Sequence, residues 1–347
     1  MNPIELLERL IAIPSLSHEE AATADMLFQT LVSEGVEAHR LYNNVWAVNR
    51  DFSPTKPTIL LNSHHDTVRP NSGYTREPYT PAIEHGRLYG LGSNDAGASV
   101  VSLMATFLHF YPQTGLNYNL CLALTAEEEC SGELGIEALL PCLPKINCAI
   151  VGEPTLGQMA IGERGLMVLD CVAKGRSGHA AREEGDNAIY HALNDIEWFK
   201  NYRFAKVSPL FGPVKMSVTI INSGTQHNVV PAECRFTVDV RVTECYTLEQ
   251  VLALIRENVT STVTPRSLRL NPSKITLSHP LVVSGLAMGL TTYGSPTTSD
   301  AALLYGIEAL KMGPGDSARS HSADEYVYIS EVTAGIKNYI TLLDRIL

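Results

Sequence analysis

Thr58-Ile59-Leu60-Leu61-Asn62-Ser63-His64-His65-Asp66 is an apolar, β-rich run that passes without a break into two imidazoles and a carboxylate. Comparable runs occupy Asn44 to Val48, Leu120 to Thr125 and Cys148 to Val151, and helical patterns separate the runs that begin at 58, 120 and 148. That alternation predicts an α/β fold with a sheet covered on both faces. In such sheets sites gather where parallel strands end, so the position of His64 and Asp66 is the informative feature. With a strand period of two, His64 and Asp66 point one way and His65 the other.

Upstream, Asn2, Pro3 and Glu5 read as N-cap, first helical residue and first-turn acid of a short helix with Ile4, Leu7, Leu10 and Ile11 on one face. Ser17 and Glu20 have capping-box spacing for a second helix, which carries Ala24, Leu27 and Leu31 and stops at Gly35. After Gly165 the pattern becomes strand (166–173), helix (187–200), strands (215–221 and 234–241), helix (248–263) and a strand near Leu268. This β-α-β-β-α-β order is the ferredoxin-like split βαβ motif. It predicts an inserted domain at 166–272, about 100 residues long, a natural domain size. Residues 1–165 and 273–347 then form one larger domain. A helix from Ser299, a strand around Leu310 and a final helix with Ile329, Val332, Ile336, Ile340 and Leu343 on one face complete it.

The 347 residues carry 26 Lys+Arg against 37 Asp+Glu, a net charge of −11. With no Lys/Arg-rich run, that balance argues against nucleic acid or an anionic membrane as partner. Glu5 and Glu8 interrupt the opening where a signal peptide has its basic flank and apolar run, and no stretch approaches about 18 apolar residues, so neither export nor a membrane anchor is expected. The seven cysteines are scattered and include no Cys-x-x-Cys, which suits reduced thiols in a cytoplasm.

Four further clusters carry chemistry. The turn Gly90-Leu91-Gly92-Ser93-Asn94-Asp95-Ala96-Gly97 opens an apolar helix but has Asp95 where a dinucleotide-binding turn needs glycine, and a carboxylate there repels a pyrophosphate. Asn94 or Asp95 can cap the helix; equally, an acid in a glycine-lined turn can bridge two cations. Glu127-Glu128-Glu129 follows the apolar run 120–124. Three adjacent carboxylates repel one another unless one binds a cation and another titrates as a base, the alternative being a solvated helix start. Glu153 ends another apolar run, and His321 follows the loop Gly313-Pro314-Gly315-Asp316. His64, Asp95, Glu129, Glu153 and His321 jointly supply two imidazoles and three carboxylates, a set that suits a pair of Zn2+ or Co2+ ions. His18, His39, His85, His109, His191 and His279 read as surface or satisfied residues, and Cys130 adjoins Glu129.

Ser63-His64-His65-Asp66-Thr67-Val68, Gly92-Ser93-Asn94-Asp95, Glu127-Glu128-Glu129, Gly152-Glu153-Pro154-Thr155, Gly178-His179, Asn228-Val229-Val230-Pro231 and His321-x-x-Asp324-Glu325 resemble, in order and across essentially the whole chain, one dizinc deacylase and peptidase family. That family contains acetylornithine deacetylase, succinyl-diaminopimelate desuccinylase, aminoacylase and carboxypeptidase G. The resemblance implies an α/β zinc-peptidase catalytic domain with a ferredoxin-like lid and dimerisation domain. It implies that Asp95 bridges two Zn2+, for which Co2+ substitutes, with His64 and Glu153 on one ion and Glu129 and His321 on the other. Asp66 then stands behind His64, and Glu128 is the general base. It further implies that His179 reaches a partner subunit's site and stabilises the oxyanion, that Asn228 and Arg241 contact substrate or oxyanion, and that the chain forms a homodimer through the lid. The turn departs from the family's Asp-Met/Thr-Lys-Gly by reading Asp95-Ala96-Gly97-Ala98, which removes a cation and no ligand.

The chemistry so implied is amide hydrolysis of a small N-acyl amino acid, Glu128 taking a proton from water and returning it to the amine. The compact length and the turns at 151–155 and 162–165 look most like acetylornithine and acetyl-lysine deacetylases. The expected reaction is therefore N-acetyl- or N-succinyl-L-ornithine to L-ornithine plus carboxylate, in arginine biosynthesis. Succinyl-diaminopimelate desuccinylase or acetyl-lysine deacetylase is the alternative, followed by a di- or tripeptidase and a non-catalytic dimeric binding protein. A succinyl group wants an extra cation, for which Arg164, Arg176, Arg182 and Arg319 are available. A serine hydrolase lacks its Gly-x-Ser-x-Gly here.

Overall fold

The computed structural model describes residues 1–347, which form two compact units. The first comprises Met1–Gly162, Lys274–Gly294 and Ser299–Leu347; the second comprises Glu163–Ser273 and Ser295–Thr298.

In the first unit the strands Asn119–Thr125, Thr58–His64, Cys148–Val151 and Glu308–Lys311 lie side by side in that order, all parallel. Asn44–Val48 adds an antiparallel neighbour, so the sheet is mixed. Every residue of Thr58–His64 and Asn119–Thr125 is buried, because alternate side chains enter two different cores. Ile59, Leu61, Leu120, Leu122 and Ile150 pack with residues of the helices Pro3–Ile11, Ala21–Ser33, Ala98–Phe110 and Ile329–Asp344. Leu60, Cys121, Ala123, Ala149 and Val151 pack on the other side with Ile136, Leu139, Ala301 and Leu304. Continuous apolar runs are what strands covered on both faces require.

Four local expectations change. Asn2 caps its helix through Ile4 N–H, but Ser17 does not cap the next one. Its hydroxyl donates instead to Asp66 Oδ2 at 2.7 Å. The helix expected to reach 263 is Leu248–Asn258, and the strand expected near Leu268 is Thr262–Pro265. β-Branched residues crowd the run 259–263 and lower its helix propensity, while buried Asp195 accepts the N–H groups of Thr260 and Ser261. The helix from Ser299 is a single 3-10 turn, Asp300–Leu303, with Ser299 as its cap.

In the second unit Lys215–Ser223, Glu233–Val242, Gly165–Lys174 and Thr262–Pro265 form an antiparallel sheet in that order. The third strand along the chain thus lies between the first and second, as a split βαβ arrangement demands. Burial alternates along Gly165–Lys174. Met167, Leu169, Cys171 and Ala173 join Phe236, Val238 and residues of the helices Ala188–Asn201 and Leu248–Asn258 in a separate core.

Candidate metal centre

Strand ends deliver most of the polar side chains. His64 is the last residue of Thr58–His64, the three glutamates follow Asn119–Thr125, and Glu153 follows Cys148–Val151. Asp95 comes from the turn Ser93–Gly97 that enters the helix Ala98–Phe110, and His321 from the loop after Glu308–Lys311.

Asp95 faces both imidazoles. Its Oδ1 lies 3.2 Å from His64 Nε2 and its Oδ2 lies 3.7 Å from His321 Nε2. Around His64 Nε2 stand Glu153 Oε1 at 3.7 Å and Glu128 Oε2 at 3.9 Å. Glu129 Oε2 is 2.9 Å from His321 Nε2. Two donor groups share Asp95, His64 with Asp95 and Glu153, and Asp95 with Glu129 and His321, each with ligand atoms within 4.8 Å of one another; His64 also gathers Glu128 and Glu129 within that distance. Ligand bonds of about 2 Å set tetrahedral neighbours roughly 3–4 Å apart. The nitrogen and oxygen set therefore fits two divalent cations with Asp95 between them, and zinc is a metal it suits.

Asp66, fully buried, stands behind His64 with Oδ1 3.3 Å from Nδ1. It also accepts the N–H groups of Glu128 and Glu129, each at 3.1 Å. One carboxylate thus sets the His64 tautomer and the turn that carries two of the glutamates. His65 points away, between the Thr23 hydroxyl and the Asn43 carbonyl, and burial pushes its pKa down to about 4.

Electrostatics follow from crowding carboxylates away from water. Burial pushes Glu128 well above the usual carboxylate range; His64 opposes the shift, and the charges of Glu153, Asp300 and Glu129 add to it. Burial also acts against the charge on Asp95, but its hydrogen bond to His64 and the charge there hold it below the usual range. The hydrogen bond to Glu129 lifts His321 to about 9. A raised carboxyl beside a cation-binding pair is equipped to carry a proton.

Two residues to which the sequence alone gives no role complete the arrangement. Glu325 is buried and accepts the N–H groups of Gly92, Asn94 and Asp95 at 3.2, 2.8 and 2.9 Å, which holds the turn that presents Asp95. In the chain it closes the motif His321-x-x-Asp324-Glu325, which by itself assigns it no role. Asp300 accepts from Thr125 Oγ1 at 2.6 Å and Asn62 Nδ2 at 3.2 Å, and burial lifts its pKa to about 6. No local pattern announces it, since those partners are 175 and 238 residues away along the chain.

His179, Asn228 and Arg241 lie in the second unit, and none belongs to either donor group. His179 is exposed on the short strand Gly178–His179, which pairs with Val229–Val230. The Asn228 carbonyl accepts from Ala180 N–H at 3.0 Å. Arg241 Nε donates to Asp239 Oδ1 at 2.9 Å.

A family model described as peptidase family M20/M25/M40 matches residues 60–345. The succinyl-diaminopimelate desuccinylase of Wolbachia pipientis subsp. Culex pipiens is 26% identical over a 383-position alignment that covers 100% of this chain and 96% of that protein. The enzyme of the same name from Methylibium petroleiphilum is 28% identical, with 99% and 97% covered. Among solved structures, the M20 family metallo-carboxypeptidase Sso-CP2 of Sulfolobus solfataricus superposes with a TM-score of 0.75 at 18% identity, covering 100% of this chain and 99% of that one. The Bacillus subtilis YXEP protein, described as a dinuclear metal binding peptidase from the M20 family, gives 0.71 at 16% identity, with 99% and 97% covered.

Proposed function

This chain belongs to peptidase family M20/M25/M40, and from that premise we propose that it hydrolyses the amide of an N-succinylated diamino acid, N-succinyl-L,L-diaminopimelate ahead of N-succinyl- or N-acetyl-L-ornithine. The shared name of relatives that span the whole chain supports the succinyl substrate over the acetylornithine favoured by the turns. The observation that carries the hydrolytic reading is the Asp95 carboxylate with one oxygen toward His64 and the other toward His321.

In this reading His64, Glu153 and Asp95 hold one cation, and Asp95, Glu129 and His321 the other. The ions, when bound, supply Lewis acidity to the acyl carbonyl and lower the pKa of the attacking water. Glu128 takes a proton from that water and returns it to the nitrogen as the C–N bond breaks, so that amine and carboxylate leave. Asp66 holds Nδ1 of His64 and keeps Nε2 turned to the centre. His179, as the residue that reaches a partner subunit's site, is assigned the oxyanion, and Asn228 and Arg241 the substrate. A succinyl carboxylate needs a cation. Arg319 is committed to Glu331, Arg164 to the Phe211 carbonyl and Arg176 to the Glu184 carbonyl. Arg182, exposed and three residues past His179, is the remaining arginine of these four. Homodimerisation through the second unit belongs to the same reading. The outer strand Lys215–Ser223 supports it, for it leaves one edge unpaired and exposes Ile220 and Ile221 at 50% each.

The test measures metal content and amine release from N-succinyl-L,L-diaminopimelate, N-succinyl-L-ornithine and N-acetyl-L-ornithine, before and after chelation. Two metals per chain and chelator-sensitive release, fastest from the diaminopimelate derivative, are expected. Faster release from either ornithine derivative overturns the substrate, and no turnover with metal restored overturns the hydrolase.

A further inference from the structure

A second donor cluster lies outside the dinuclear set. His18, Glu127 and Cys130 bring an imidazole, a carboxylate and a thiol within 4.8 Å of one another. Cys130 Sγ lies 3.6 Å from His18 Nε2, and His18 Nδ1 lies 2.9 Å from Glu127 Oε1. Glu127 is buried, and its other oxygen accepts the Leu134 N–H at 3.0 Å. The His18 side chain is 65% exposed and Cys130 is exposed as well, so an ion in solvent reaches both.

We propose that His18 Nε2 and Cys130 Sγ form a third cation site, selective for a soft divalent ion such as Zn2+, with Glu127 orienting the imidazole. Tetrahedral zinc bonds of about 2.0 Å to nitrogen and 2.3 Å to sulfur set those two atoms about 3.6 Å apart, the separation that this pair already has. Glu127 occupies Nδ1, so the Nε2 lone pair is the one directed at Cys130. A carboxylate behind the imidazole is how proteins fix the tautomer of a ligating histidine. The thiol sets the preference, because thiolate favours zinc and cobalt over magnesium and calcium. Binding forms the metal–sulfur bond and releases the thiol proton to solvent. Two protein ligands leave the remaining positions to water, so this site is weaker than the dinuclear centre. It stands independently of the substrate proposed above.

Cobalt separates the two kinds of site, since the dinuclear donors are nitrogen and oxygen only. Co2+ is titrated into the whole chain after its metal has been removed, so that the dinuclear centre fills first, and the near-ultraviolet spectrum is read for a thiolate-to-cobalt charge-transfer band. The band should rise with the third equivalent, persist in Cys142→Ser and Cys245→Ser, vanish in Cys130→Ser, and need at least tenfold more cobalt in His18→Ala. No band at any cobalt concentration, or a band that survives Cys130→Ser, overturns the proposal. Failure of the dinuclear reading is distinct, because it removes the first two equivalents and their visible bands.

Discussion

The strand Thr58–His64 in the first unit and the strand Gly165–Lys174 in the second use the same backbone geometry in opposite ways. The first is buried at every residue and ends in a histidine, whereas the second alternates and ends in an exposed lysine. A strand covered on both faces has no solvent side for polar groups, so they appear at its end and arrive desolvated. On the second strand Asp170 meets Arg266 across solvent-exposed surface. The first unit therefore concentrates electrostatic cost where Glu128, Asp300 and Glu325 are all pushed upward, each chiefly by burial. On the sheet face of the second unit that carries Asp170 the charges are screened, and its buried Asp195 is satisfied by the N–H groups of Thr260 and Ser261. Substitutions that remove charge should act on chemistry in the first unit, and substitutions that remove volume should act on stability in the second.

The largest effect tests the first half of that statement. Glu128→Gln should lower kcat by about 10²–10⁴-fold, the usual share of a positioned acid/base, measured as amine release at saturating substrate. Stability should not fall with it. A carboxyl whose folded pKa is raised stabilises fully below its unfolded value and loses that contribution as pH rises through the folded value. The chelated wild type should accordingly lose more stability toward alkaline pH than the chelated variant, read from thermal unfolding at several pH values. Near-normal turnover in Glu128→Gln would remove Glu128 from the mechanism.

Phe236→Ala tests the other half. Phe236 is 2% exposed and meets Phe199 edge-on at 6.1 Å within the second core. Its truncation should cost about 3–5 kcal/mol, read by denaturant unfolding, while the native variant keeps its metal content. Loss of metal from the folded variant would show that the two units do not divide the work in this way.

The same contrast explains what the chain discloses before folding. Apolar runs that end in His64, Glu127–Glu129 and Glu153 are local patterns, and each places its polar residue at a strand end where the structure has it. The strand at 166–173 was equally legible, being local, but its run is apolar except for Asp170, so the alternating burial appears only in the folded sheet. Ser17 was not. Its spacing to Glu20 suits a capping box, yet its hydroxyl goes to Asp66, 49 residues away, because a buried carboxylate competes better for that donor than a helix end near solvent. The 259–263 run failed differently. Helical periodicity continues through it, and the capping carboxylate of Asp195 arrives from a distant helix. Asp300 shows the limit, since it sits in a 3-10 turn while both partners lie on strands, and only the assembled sheet joins them.

Asp66→Asn is expected to be smaller than either. The residue touches no substrate in this reading and acts by fixing His64 and the turn at Glu128 and Glu129. Losing such a carboxylate typically weakens metal binding by about 10–100-fold, to be measured by competition with a chelator of known affinity. Rate at saturating metal should recover most of its value, which separates a positioning role from the proton transfer assigned to Glu128. Unchanged metal affinity would mean that the turn is held by its own backbone.

Arg266→Ala should have the smallest effect. Both guanidinium contacts to Asp170 are 2.9 Å, but the side chains are 54% and 48% exposed, so water and salt screen the pair. The hydrogen bond to Arg266 holds the Asp170 carboxyl below its ordinary 3.8. A depressed folded pKa contributes stability above the unfolded value and loses it as pH falls through the folded value. The slight difference between wild type and variant should therefore be present at neutral pH, shrink with added salt, and disappear once the solution is acid enough to protonate Asp170 in both. A difference comparable to that of Phe236→Ala, insensitive to salt, would mean that charge on this solvent face works as hard as charge at the end of Thr58–His64, and the distinction between the two strands would fall.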